Sequence, residues 1–164
     1  MLTPDPQTAD NPMDEPNLRS GAEAGMSRVL VIDDDPDLGR VVRRVLELEG
    51  YDVVLSDDGL RGLAAAQRQR PDVIVLDLMM PIMDGYEVLR QLRADARTRH
   101  IAVVVLSAVT LAESRDRAIH EGATVYLTKP FSPEGLSAAV AVGTATTAAR
   151  RLNQDDPRDT ESRA

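Results

Sequence analysis

Three carboxylates, a lysine and a serine each close an apolar run in this 164-residue chain. Asp33 and Asp34 follow Arg28-Val-Leu-Val-Ile32, Asp77 follows Val73-Ile-Val-Leu76, Ser107 follows Ile101–Leu106, and Lys129 follows Thr124-Val-Tyr-Leu-Thr128. Carboxylates gathered in one crevice repel one another, and burying them unpaired is costly, so a divalent cation among them is favourable. With no Cys in the chain and no His near these runs, the donors are all oxygens, which suits a hard ion such as Mg²⁺. Mg²⁺ keeps waters and leaves room for a phosphate oxygen. Lys129 offers a positive charge to that anion and Ser107 a hydrogen bond. Such a set describes phosphoryl transfer, with Asp77 able to serve as nucleophile and form an acyl phosphate.

That chemistry requires elements that bring the five residues together. Val73 to Leu76 is too continuously apolar for one helix face and reads as a strand buried on both sides. Strands are expected to start near residues 28, 51, 72, 101 and 124, with a helix after each. The first helix carries Leu38, Val41, Val42, Val45 and Leu46 as an apolar stripe behind Asp35 and Pro36, and ends at Gly50. The second opens at Asp57 or Asp58 with Leu60, Leu63 and Ala64 inward, and the third at Asp84 with Glu87 as a capping box. Thr110 and Glu113 suggest another capping box for the fourth. Ser132 and Pro133 open the last helix, with Leu136, Ala139 and Val140 inward; Gly143, Thr144, Thr146 and Thr147 are expected to weaken it until it fades near Arg151. Five βα units with right-handed crossovers predict an α/β fold, a flavodoxin-like (βα)5 doubly wound parallel sheet of five strands in the order 2-1-3-4-5. In that order the ends of strands one and three lie side by side, which sets Asp33 and Asp34 next to Asp77.

The ends of the chain read differently. Residues 1–26 hold four prolines and few large apolar groups and are expected to be a disordered extension; residues 150–164 are expected to be a disordered tail. Much of the net charge of −8 falls in these segments, leaving the middle near neutral. Without a basic surface, the folded part is not expected to bind nucleic acid. No apolar run approaches a membrane span and no signal peptide is visible, so a cytoplasmic protein with no membrane contact is expected.

Val31-Ile-Asp33-Asp34-Asp35, Asp77-Leu-Met-Met-Pro81, Met83-Asp84-Gly85, Ser107-Ala108 and Lys129-Pro130-Phe131 together resemble the receiver domain of bacterial two-component response regulators, over residues 27–149. The resemblance implies that Asp77 accepts a phosphoryl group from a phosphohistidine on a histidine kinase or phosphotransfer protein. It implies that Asp34 binds Mg²⁺ directly, that Asp33 acts through a water, and that the backbone carbonyl of Met79 completes the metal site. It further implies that Lys129 contacts the phosphoryl group, that Ser107 is a switch hydroxyl, that the Tyr126 ring follows it, and that the Lys129–Pro130 bond is cis. The positions that tune dephosphorylation in the family are Met79 and Val109 here, both apolar, so a long-lived phosphorylated state is expected.

The expected function is a stand-alone receiver, not an enzyme beyond its own phosphorylation and dephosphorylation. It would act as a monomer or phosphorylation-dependent dimer and signal to a downstream protein through the face of helix four, strand five and helix five. Two other readings compete. A receiver-like module could bind partners without phosphorylation, against which the intact acid set and Lys129 count. A small aspartyl-phosphate hydrolase needs a second acid two residues after the nucleophile, where Met79 stands. Read singly, Asp33 to Asp35 is a solvated turn, Lys129 a surface lysine, and His100, His120, Arg150 and Arg151 solvated groups.

Overall fold

The computed structural model describes residues 25–154. Five parallel strands, β1 (Arg28–Ile32), β2 (Asp52–Ser56), β3 (Val73–Asp77), β4 (Ala102–Ser107) and β5 (Val125–Thr128), form one sheet in the order β2-β1-β3-β4-β5. The helices between and after them are α1 (Pro36–Leu48), α2 (Gly59–Gln69), α3 (Gly85–Ala94), α4 (Ala112–His120) and α5 (Pro133–Gln154). This is the flavodoxin-like arrangement that the βα spacing predicts.

The strands divide the core by their period of two. Val29 and Val31 of β1, Val73 and Val75 of β3, and Val104 and Leu106 of β4 pack with Val42 and Leu46 of α1 and with Leu136, Ala139 and Val140 of α5. Leu30, Ile32, Ile74, Leu76, Val103 and Val105 turn to the other face, against Leu63 and Ala66 of α2, Val88, Leu89 and Leu92 of α3, and Ala118 of α4. Every residue of β3 and β4 is buried, as helices on both faces require.

Local chemistry sets most helix starts. Asp35 accepts from the amides of Asp37 and Leu38, Asp58 from Arg61, Asp84 from Glu87 and Ser132 from Gly135. The fourth helix departs from expectation. Its N-cap is Leu111, with no side-chain cap bond, so the Thr110–Glu113 capping box does not form. The apolar stripes are also narrower than the sequence suggests. Val41 is 53% exposed and Leu60 63%, because α1 and α2 cover the strands next to the edge and their outer flanks face solvent.

The last helix does not fade near Arg151; it continues to Gln154. Gly143 and Thr147, which weaken a helix by propensity, are here its contacts with the sheet. A Cβ on Gly143 would lie 2.5 Å from Cγ2 of Val73, so only glycine lets α5 approach β3 so closely. The buried Thr147 hydroxyl accepts the backbone N–H of Ala102 at 2.8 Å, satisfying the first amide of β4. Arg151 is not a solvated group either. It pairs with Asp72 at 2.6 Å and donates to the carbonyl of Pro71, and Asp72 in turn accepts the N–H of Arg28. The expected N-terminal disorder falls almost wholly on residues outside the described ones, as does the tail after Gln154.

Candidate functional site

Parallel strands leave their carboxyl ends on one side of the sheet, and β1 and β3 are adjacent there. Asp77 is the last residue of β3 and Asp33 follows β1 directly; they are only 6% and 7% exposed. Asp34, one residue on, is exposed. The three offer carboxylate oxygens that all lie within 4.8 Å of one another. Lys129, just past β5, reaches across the end of β4: its Nζ lies 3.4 Å from Oδ1 of Asp77 and 3.7 Å from Oδ2 of Asp33. The structure thus brings together four of the side chains singled out in the sequence.

The remaining candidates sit beside this cluster and are bonded elsewhere. Ser107 is fully buried at the end of β4, its Oγ accepting the N–H of Val109 at 3.1 Å and its carbonyl accepting the N–H of Lys129 at 2.8 Å. The Tyr126 hydroxyl donates to the carbonyl of Val109 at 2.7 Å, and its ring packs on the core beside α4. Both are therefore tied to the same short loop after β4. Met79 is 65% exposed, while its backbone N–H donates to Oδ1 of Asp77 at 3.2 Å, so its main chain, not its side chain, lies against the acid. The Lys129–Pro130 bond is cis.

The geometry adds one residue whose role the sequence reading missed. A Cβ on Gly85 would lie 2.5 Å from the carbonyl oxygen of Asp77 and 2.6 Å from Cα of Leu78. The Gly85 N–H donates to the Leu78 carbonyl at 3.0 Å, so the first turn of α3 rests directly on the backbone that carries the acid. A signal was present: glycine is a poor residue for a first helical turn, and its use there asks for a reason. Between the two, Ile82 is fully exposed with φ of 70°, a left-handed conformation that costs a β-branched residue about 1–2 kcal/mol.

Burial pushes the Asp33 carboxyl above its ordinary value; the bond from the Asp35 N–H and the charge of Lys129 work against this, and the charges of Asp77 and Asp34 add to it. A carboxyl raised in this way holds its proton more tightly in the folded than in the unfolded chain. Its ionisation therefore removes stability as pH rises from about the unfolded value through the raised one. At neutral pH, metal-free Asp33 is a net burden on the fold. Asp33→Asn should accordingly melt higher than the parent in EDTA, and should gain less stability when Mg²⁺ is added, as read by thermal unfolding with and without the ion.

The donor set fits Mg²⁺: oxygen only, two of three acids buried, and a crowding of negative charge that a single lysine offsets in part. Fold and site together define an α/β domain that holds a strand-end carboxylate between an acid pair and a lysine. Residues 29–141 match the response regulator receiver domain family, to which the chain belongs. It is 44% identical over 115 residues to the DNA-binding dual master transcriptional regulator RpaA of Synechocystis, covering 70% of this chain and 48% of that protein. It is 40% identical over 130 residues to the DNA-binding response regulator MtrA of Mycolicibacterium smegmatis, covering 79% and 53%. The chain thus spans about half the length of the curated relatives it matches. Among solved structures it is similar to the Vibrio cholerae chemotaxis protein CheY4, with 34% identity, a TM-score of 0.69, and coverage of 72% of this chain and 98% of that one. The receiver domain of the sensor histidine kinase PA1611 of Pseudomonas aeruginosa gives 31% identity, a TM-score of 0.68 and coverage of 73% and 98%; it is described with magnesium in its active-site cleft.

Receiver domains are signalling domains of two-component systems. The relatives overturn the expectation of a protein unconnected to nucleic acid that signals to a protein target alone, since they are DNA-binding regulators. The physical reason is that charge bears only on the surface where it lies, and a near-neutral receiver places no constraint on a DNA-binding surface carried elsewhere. No helix among the described residues is long and apolar enough to cross a membrane.

Proposed function

We propose that this receiver is a phosphorylation switch in which Asp77 takes a phosphoryl group from a phosphohistidine of a partner kinase or phosphotransfer protein. The observation that carries this reading is the placement of Asp77, buried at the end of β3 within 3.4 Å of Lys129 Nζ and beside Asp33 and Asp34. A carboxylate oxygen of Asp77 attacks phosphorus as the bond to the donor imidazole breaks, giving an acyl phosphate. Lys129 attracts the phosphoryl oxygens and holds the incoming group over the acid. Asp34, Asp33, Asp77 and the Met79 carbonyl are the groups to hold Mg²⁺, which when bound offsets the charge of the transferred group.

Phosphorylation adds charge and acceptor oxygens at the end of β3. Ser107 then has reason to leave its bond with the Val109 amide and donate to a phosphoryl oxygen. The Val109 carbonyl also holds Tyr126, so a shift of this loop carries the ring with it. By likeness to the relatives, the state of this switch governs a DNA-binding regulatory output. The test is intact mass after incubation with Mg²⁺ and acetyl phosphate. A gain of one phosphoryl group, prevented by EDTA, supports the reading; no gain under either condition overturns it in favour of binding without phosphorylation.

The lifetime of the product follows from the loop beside Asp77. Neither the exposed Met79 side chain nor Val109 offers a polar group to orient an attacking water. Met79→Asn places an amide there and should shorten the phosphoryl half-life by roughly tenfold, less than the roughly 10²–10⁴-fold of a positioned base because an amide orients a water without taking its proton. Loss of the phosphorylated mass over time, followed after removal of the donor, measures it.

A further inference from the structure

Away from the acid cluster, at the amino ends of the strands, a cavity of about 590 Å³ is lined by Arg70, Ala96, Arg97, His100, Arg151 and Gln154. Three elements that are distant in sequence supply its cations. Arg70 is the left-handed C-cap of α2, Arg97 and His100 lie in the connection from α3 to β4, and Arg151 belongs to the last turn of α5. Arg93 of α3 and Arg150 of α5 also project their charge onto His100.

Among the described residues these charges do not cancel. Arg151 pairs with Asp72 and Arg97 with Asp95, but Arg70, Arg93 and Arg150 have no carboxylate partner among the described residues. The Arg93 guanidinium is committed to the carbonyls of Gly122, Arg99 and Ile101, which bring no negative charge. His100 contributes an imidazole whose Nδ1 is buried with no hydrogen-bond partner among the described residues. Among the described residues, three arginines in the lining and two beside it thus stand against two carboxylate partners, an excess of positive charge.

We propose that this cavity is a second, anion-binding site of the receiver, whose ligand is a small molecule bearing a diphosphate group. Guanidinium groups bond phosphate oxygens in a planar fork, and three directions of approach match a group with oxygens on several sides. The cavity falls within the roughly 300–1,000 Å³ typical of small-molecule sites, more than one isolated phosphate needs. The ligand would tie the ends of α2 and α5 to the start of β4; the first two are now joined through Arg151 and the backbone of Arg70 and Pro71. Burial chiefly, and then Arg151, Arg70, Arg93 and Arg150, hold the His100 ring below its ordinary value. A bound anion offsets the arginine contribution and raises it.

The chain contains two histidines, so its imidazole resonances report the site with an internal reference. His120, exposed at the end of α4, is that reference. The experiment is an NMR titration of the full chain with pyrophosphate, against sodium chloride of equal ionic strength, with His120→Gln to assign the signals. The expected result is a saturable movement of the His100 signals and a rise of its titration midpoint by roughly one unit, with His120 unmoved. Arg70→Gln combined with Arg150→Gln, which breaks no ion pair, should abolish the response while leaving the spectrum folded. Equal movement of both histidines, no saturation, or a response that survives the double substitution would each overturn the proposal.

Discussion

Asp77→Asn should gain no phosphoryl group from acetyl phosphate and Mg²⁺ under conditions in which the parent chain is modified. The substitution is close to isosteric, and the amide can still accept the 3.2 Å bond from the Met79 N–H, so the loop after β3 keeps its anchor. What is lost is the anionic oxygen that attacks phosphorus. The variant also removes one negative charge from a cluster whose oxygens lie within 4.8 Å of one another, with Lys129 as the one counter-charge among the described residues. It should therefore be at least as stable as the parent in EDTA, which separates loss of chemistry from loss of fold. Intact mass reads the first and thermal unfolding the second. Full modification of the variant would place the acceptor elsewhere, Asp33 and Asp34 being the nearest carboxylates.

Gly85→Ala is expected to be the most damaging single-methyl addition near the site. The new Cβ would meet backbone, the Asp77 carbonyl and Leu78 Cα, at 2.5 and 2.6 Å, and neither can turn aside as a flexible side chain could. Either the first turn of α3 lifts off or the end of β3 shifts. Overpacking of this kind costs about 2–3 kcal/mol. A urea titration should show a lower midpoint with an unchanged slope. The surviving folded protein should be phosphorylated more slowly, because the shift is in the backbone that carries Asp77. A Gly50→Ala variant is a useful contrast. That glycine has φ of 91° but open space around it, so its cost is conformational and leaves phosphorylation untouched.

The acid cluster was legible in the sequence because strand-end positions are set by topology. Five apolar runs at βα spacing give a doubly wound parallel sheet, and the flavodoxin-like order expected of it makes the ends of strands one and three neighbours, so Asp33, Asp34 and Asp77 could be placed together without coordinates. The same logic did not reach residues whose role depends on distance of approach. Gly143 and Thr147 count against a helix by propensity, yet α5 runs on to Gln154 because Gly143 admits Val73 and Thr147 bonds Ala102. The Thr110–Glu113 pattern met the spacing of a capping box and still did not form one, since α4 begins after Leu111.

The sequence by itself determined the five βα units, the alternation of the two core faces and the crowding of acids at one end of the sheet, because periodicity and strand-end placement are local properties that topology converts into position. Only the tertiary structure decided that Ser107 and Tyr126 share the Val109 loop, that Gly85 presses on the acid's own backbone, and that Arg70, Arg97, His100 and Arg151 meet around one cavity. Those are contacts between side chains and backbone from elements far apart in the chain. No single segment carries the information about how closely they approach; packing of the whole sets it.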